Sequence, residues 1–337
     1  MRVLITGVAG FIGSGVAKAL LDRYDFLSVV GVDNMDAYYD LSLKNHRLAA
    51  LLKSPRFEFR RGDIADRAFL ETVFEEFRPQ YVLNFAAKVG VRHSVLHPED
   101  YITANINGFF NILESCRKYP VRHLVFASSS SVYGASDHVP YSVEDRTDAP
   151  VSLYAATKKS NELMAHAYSG LYDIPCTGLR FFTVYGPAGR PDMAYFKFTD
   201  SLVRGEKIDI YNYGKCLRDF TYIDDVVEAV VRVMMAPPEK KDPLKPPYAV
   251  YNVGNGDPVT LVGFVRILHE ELLREGVLPE GHDCEAHMNL IPMQQGDMQT
   301  TYADTSSLER DFGFSPSTSL REGLRAFAHW YKEYVRG

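Results

Sequence analysis

The chain begins with an apolar run, Arg2–Thr6, that ends directly in Gly7-Val8-Ala9-Gly10-Phe11-Ile12-Gly13. Glycines spaced three apart between a strand-length run and a helical one let the backbone turn sharply and leave its N–H groups approachable. The helix opened by this turn runs through about Tyr24, and its dipole places partial positive charge at the turn. The rest of the N-terminal half keeps the same rhythm. Ser28–Asp33 and residues 57–60, 81–85, 123–127 and 176–179 are short apolar runs, separated by helical patterns over residues 66–76, 101–118 and 154–171. Strands alternating with helices at this spacing predict an α/β chain with a parallel, doubly wound sheet. Right-handed crossovers then align the strand C-termini along one edge, where ligands bind.

After Arg180 the rhythm breaks. Pro187, Gly189 and Pro191 mark a loop, short elements follow over residues 196–204 and 218–222, and a helix is expected at Ile223–Met235. A polar, proline-rich stretch from Ala236 to Pro247 reads as a surface loop, and Tyr248–Val253 as a strand returning to the main sheet. The division expected is a Rossmann-type nucleotide-binding domain, residues 1–180 plus about 218–255. A smaller mixed α/β substrate-binding lobe would take about 181–217 and 256–337, ending in a helix over residues 320–335.

With 337 residues, 46% apolar and 24% charged, the chain suits an ordinary globule. Its net charge of −6 argues against nucleic acid as a partner, although a local group of arginines can still hold a small anion. No apolar run approaches the ~18 residues of a membrane span. The chain opens on a strand rather than a signal peptide. Cys116, Cys176, Cys216 and Cys284 lack the spacing of a metal site and read as reduced thiols in a cytoplasm. The ten histidines show no ligand spacing, so no metal is expected.

The turn at Gly7, Gly10, Phe11, Ile12 and Gly13 suits a pyrophosphate. Asp33, closing the second strand, can accept bonds from a ribose 2′-hydroxyl and repel a 2′-phosphate, which favours NAD over NADP. Asp63 follows the third strand and is either an adenine acceptor or the cap of the next helix. Ala86 and Ala87 are small enough for a cofactor to lie across the sheet edge. Lys88 either touches a ribose or phosphate or is solvated. Asn34, Ile64 and Asn105 complete the expected cofactor set.

Tyr154 and Lys158 share a helix face at i and i+4. A free phenol has a pKa near ~10, and a nearby ammonium favours its ionised form. Tyr154 can then take a proton from an alcohol as hydride leaves its carbon. Ser129, in the run Ser128-Ser129-Ser130-Ser131, can bond the same oxygen. The Tyr-x-x-x-Lys pattern is common by chance, and it gains its weight from the glycine turn, Asp33 and the serine-rich strand end.

Together these stretches resemble the extended short-chain dehydrogenase/reductase family over nearly the whole chain. The resemblance narrows to its nucleotide-sugar epimerases, and to the UDP-glucuronate 4-epimerase branch, through residues 127–134, Arg180-Phe181-Phe182-Thr183-Val184-Tyr185-Gly186-Pro187 and Gly189-Arg190-Pro191-Asp192-Met193-Ala194. Arg218-Asp219-Phe220-Thr221-Tyr222-Ile223-Asp224-Asp225 and Gly296-Asp297 add to it. The resemblance implies tightly bound NAD, a UDP-sugar substrate and a catalytic triad of Ser129, Tyr154 and Lys158, with Lys158 also a ribose ligand. It implies Arg218, Gln294 and Asp297 toward the nucleotide, with Gln294 standing where related epimerases carry arginine. It also implies a homodimer that pairs the helices 101–118 and 154–171 into a four-helix bundle.

Family members share a 4-keto intermediate and diverge at the residues around Ser129. Related dehydratases and decarboxylases resemble carriers of acids there, where this chain has Ser130 and Ser131. A 4-ketouronate loses CO2 readily, so an epimerase must hold its carboxylate. Ser130, Thr183 and Arg190 are the expected grip, with Arg92 a second candidate. The plain alternatives are a loop arginine in solvent for Arg190 and a surface residue at a helix start for Arg92. The competing activities are 4-epimerisation of UDP-glucose or a UDP-N-acetylhexosamine, decarboxylation of UDP-glucuronate, simple alcohol oxidation and non-catalytic NAD sensing.

Overall fold

The structure is a computed structural model that describes residues 1–293 and 298–336. Seven strands form one parallel sheet: β1 (Arg2–Thr6), β2 (Ser28–Asp33), β3 (Phe57–Arg61), β4 (Tyr81–Asn84), β5 (His123–Ser129), β6 (Cys176–Phe181) and β7 (Tyr248–Val253). Their order across the sheet is β7-β6-β5-β4-β1-β2-β3. The expected doubly wound α/β sheet is therefore present. From β1 the chain steps outward through β2 and β3, then returns to place β4 on the other side of β1. This reversal opens a crevice at the strand C-termini.

Consecutive residues in the central strands are buried, as sheets covered on both faces require; Val3, Leu4 and Ile5 are fully so. Helix α1 (Phe11–Arg23), together with Ile223–Met235, covers one face through Val16, Leu20, Val226 and Val230. The other face is covered by α3 (Arg67–Phe77), α4 (Phe109–Lys118) and α5 (Leu153–Tyr172), through Leu70, Phe74, Phe109, Ile112 and Ala165. Between these, α2 (Leu41–Leu51) was not foreseen, because its apolar residues split between two cores. Leu48 and Leu51 join the sheet core, and Leu43 joins a second, aromatic core around Tyr185, Tyr195, Phe264 and Phe327.

That second core is built by the helices Ala194–Val203, Leu261–Arg274 and Leu320–Arg336 and by three small strand pairs. The element expected over 218–222 divides in two. Leu217–Arg218 pairs with Val259–Thr260, and Phe220–Tyr222 with Thr183–Tyr185. Between them Asp219 is fully buried, its carboxylate accepting from the N–H groups of Asn255, Gly256 and Ala303 at 2.7, 3.0 and 3.0 Å.

The helix expected over 101–118 is also divided. Pro98–Tyr101 is followed by a π-helical segment, Ile102–Gly108, and then by α4. The wider π turn accompanies Asn105, whose amide bonds both the N–H and the carbonyl of Lys88 and the Thr157 hydroxyl. Its own carbonyl accepts from Asn161 at 2.6 Å. Among the described residues no helix is long and apolar enough to cross a membrane.

Candidate active site

The crevice beside β1 is lined by Gly7, Gly10, Phe11, Ile12, Gly13, Asp33, Asn34, Asp63, Ile64, Ala86, Ala87 and Lys88. Ser129, Tyr154, Lys158 and Arg190 face the same space. The glycine turn is built for a close ligand. A Cβ on Gly7, which sits at φ +69°, would lie 2.6 Å from the Ala86 nitrogen, and one on Gly13 would lie 2.3 Å from the Gly7 carbonyl. No side chain caps the start of α1, so its first N–H groups stay available to an anion. These residues fit a dinucleotide.

Asp33 holds the turn from the side. One carboxylate oxygen accepts from the Ala9 N–H at 3.1 Å; the other accepts from Met35 N–H at 2.9 Å and from the Lys44 ammonium at 3.2 Å. Lys44 and Asp33 are both buried. Asp63 accepts from the Asn34 amide and from the Ala65 N–H, each at 2.8 Å. It does not cap α3: Asp66 does, accepting from Phe69 N–H. Lys88 lines the cleft rather than standing free in solvent. Asp36 holds its ammonium at 2.9 Å, and this partner keeps it protonated despite burial. Asn105 is buried behind the cleft, as a fastener of the Lys88 backbone rather than a lining residue.

Ser152 caps α5, accepting from Ala155 N–H, and so sets Tyr154 and Lys158 on its first turns. Burial pushes the Tyr154 phenol above the usual range, while a hydrogen bond with Ser129 and the charge of Arg190 pull it back. This corrects the expectation that Lys158 lowers it. The Lys158 ammonium instead donates to the Ala127 carbonyl at 2.8 Å, and burial brings its pKa down to about 8. Ser129 also caps the turn Ser130–Tyr133, accepting from Ser131 N–H at 3.2 Å.

Arg190 is not a solvated loop residue. It lines the cleft, paired through both ends of its fork with Asp192, whose other neighbour is the Tyr38 hydroxyl at 3.4 Å. Burial opposes its charge, but Asp192 and the Tyr154 phenol sustain it. Ser130 and Thr183 are half-buried and stand outside the cleft lining. Arg92 lies over the Tyr211 ring at 5.2 Å. Arg218 donates to the carbonyls of Leu217 and Gln299 at 2.9 and 3.3 Å and is not among the residues lining this cleft. Gln294 and Asp297 lie outside the described residues.

Several residues went unread in the sequence. Tyr38, Tyr39 and Lys44 line the cleft from the segment after β2. Glu162, one turn beyond Lys158, lies beneath it. This carboxylate binds Arg180 at 2.8 and 2.9 Å and accepts from the Ser128 hydroxyl at 2.6 Å. The i+4 step from Lys158 was a usable signal for Glu162, whereas Tyr38 and Lys44 carry no motif of their own.

A glycine cradle at a sheet reversal, facing a half-buried tyrosine and a buried lysine on one helix, is the site of a dinucleotide-dependent enzyme of the short-chain dehydrogenase type. The chain belongs to the NAD dependent epimerase/dehydratase family, whose pattern matches residues 3–254. It is 45% identical over 347 residues to the probable UDP-glucuronate 4-epimerase of Rhizobium meliloti (strain 1021), covering 100% of this chain and 98% of that one. The UDP-glucuronic acid 4-epimerase of Bacillus cereus, solved with UDP-glucuronic acid and NAD, aligns with a TM-score of 0.87 and 31% identity over 99% of this chain and 100% of that one. The UDP-glucose 4-epimerase of Thermotoga maritima, solved with UDP-glucose, reaches 0.84 and 30% identity over 99% and 100%. One fold thus serves both acidic and neutral sugars, and the choice between them rests on side chains.

Proposed function

We propose that this chain is an NAD-dependent isomerase that interconverts UDP-glucuronate and UDP-galacturonate by inverting C4. The observation that carries the acidic sugar is the position of Arg190, a charged fork in the same cleft as Tyr154 and electrostatically coupled to it. Bound NAD supplies the acceptor and donor of hydride at C4. Tyr154 takes the proton of the C4 hydroxyl and later returns it, with Ser129 bonded to the same oxygen. Lys158 orients the cofactor ribose. Arg190, with Ser130 and Thr183, grips the carboxylate, Arg92 is a second candidate for it, and Arg218 takes the diphosphate. The flat 4-ketone turns about its diphosphate before hydride returns to the other face. Because no net oxidation occurs, NAD stays bound between turnovers.

The division of labour we propose follows the two cores. Residues 1–180 with about 218–255 hold the dinucleotide, and about 181–217 with 256–337 hold the sugar nucleotide. We also propose a homodimer. Val95, Leu96, Ile102, Phe110 and Leu163 expose apolar side chains on and beside α4 and α5, a face suited to a four-helix bundle. The cysteines are free, which suits a reducing cytoplasm.

The test is incubation of purified protein with UDP-glucuronate and no added NAD. UDP-galacturonate is the expected product. Release of CO2 with a pentose as the sole product, or turnover confined to UDP-glucose, overturns the assignment.

A further inference from the structure

We infer that Arg47 is a positioning residue that fixes the Arg190 loop against the cofactor turn and so governs whether the 4-keto intermediate keeps its carboxylate. The inference rests on the epimerase reading above.

Arg47 lies on α2, the helix that joins both cores, and is 5% exposed. Among the described residues it forms no ion pair with a carboxylate. All five of its N–H donors are nonetheless engaged. Nε donates to the Ala188 carbonyl at 2.9 Å, and one terminal nitrogen donates to the carbonyls of Ala188 and Gly189 at 2.7 and 2.9 Å. The other donates to the Ala9 carbonyl at 3.0 Å and to the Tyr39 hydroxyl at 2.7 Å. Ala9 belongs to the glycine turn, and Ala188 and Gly189 immediately precede Arg190. One planar fork thereby ties the dinucleotide side of the cleft to the side that grips the carboxylate.

The loop is shaped to receive it. Ala188 sits at φ 53°, a conformation that side-chain-bearing residues seldom adopt and that aims successive carbonyls toward Arg47. Gly189 has no room for a side chain. A Cβ there would lie 1.6 Å from the Tyr195 hydroxyl, whose ring packs edge-on against Phe327. Lysine, with three donors on one atom and no plane, cannot reproduce this bridge.

The chemistry explains why the position matters. A 4-ketouronate decarboxylates when its C5–C6 bond aligns with the C4 carbonyl. That bond breaks, its electron pair moves onto the C4 oxygen as an enolate, CO2 leaves and C5 takes up a proton. The hydride removed at the start then returns to C4, so no outside oxidant or reductant enters. Arg190 prevents the alignment only if its own backbone is held.

The test uses purified protein with its bound NAD and compares wild type with Arg47→Lys and Tyr39→Phe. It reads the ratio of UDP-pentose plus CO2 to UDP-galacturonate, together with the melting temperature and retained dinucleotide. A merely structural role lowers both products together and leaves the ratio unchanged. The expected result is a ratio raised about tenfold or more in Arg47→Lys and less in Tyr39→Phe, the milder change that covers misfolding of the first. An unchanged ratio in whichever variants fold overturns the inference. Failure of the wild type to make UDP-galacturonate sinks the parent reading instead, and is seen in the same experiment.

Discussion

The Lys158 ammonium donates a hydrogen bond to the carbonyl of Ala127 at 2.8 Å and stands 3% exposed among the strand ends. A buried ammonium is costly, and its pKa falls from 10.5 to about 8. At 1.36 kcal/mol per unit this is a penalty of about 3 kcal/mol on the folded state at neutral pH. The folded value lies below the unfolded one, so the penalty is complete below pH 8 and fades as pH rises toward 10.5. Lys158→Met should therefore melt above wild type at pH 7, with the gain shrinking by pH 10, while losing epimerase activity. Scanning calorimetry at the two pH values checks it.

Tyr154→Phe should retain bound dinucleotide and lose about a thousandfold or more in kcat, the usual worth of a positioned proton-transfer group. Absorbance of the denatured supernatant reports the dinucleotide; a coupled product assay reports the rate. Full-speed interconversion by this variant removes the phenol from the mechanism.

The Asp33 carboxylate and Lys44 ammonium form a buried pair beside the cleft. Asp33→Asn removes the negative partner and leaves the cation facing the place where a 2′-phosphate would sit. The ratio of NADP to NAD affinity should rise about tenfold, equivalent to ~1.4 kcal/mol. Reconstitution of stripped protein with each dinucleotide measures it.

Burial works against the charge on Glu162, yet Arg180 and Ser128 hold its carboxyl below the usual carboxylate range. Such a group stabilises the fold above its unfolded pKa, and the contribution is lost as pH falls through the folded value. Glu162→Gln strands Arg180 without a counter-charge and should cost about 3 kcal/mol near neutrality. The gap between variant and wild type should narrow in acid. Urea melts at pH 7 and pH 4 test the sign.

Much of the sheet was legible because its signals are local. The run into Gly7, the period of the strands and Asp33 at the end of β2 each follow from a few neighbouring residues. Boundaries drifted where pairing extended a strand, as in β5, which reaches Ser129 rather than Ala127. Asp63 was left between an adenine acceptor and a helix cap, and the cap falls to Asp66, because the choice depends on which carboxylate meets the Phe69 N–H. The Tyr154–Lys158 pair was found, but its electrostatics were not, because spacing on a helix says nothing about where an ammonium turns when a strand carbonyl is closer. Arg47 was invisible: its four partners lie in three separate segments, two of them distant in sequence, and a lone arginine in a short helix reads as a surface residue.

Strand β7 comes from residues 248–253 but zips onto β6, which ends at Phe181. A ribosome that has just released β6 must therefore thread out residues 182–247 before β7 can pair with the edge that β6 presents. The nascent chain carries an exposed strand edge through this interval, so a stall between the two strands leaves a species primed to associate with its neighbours.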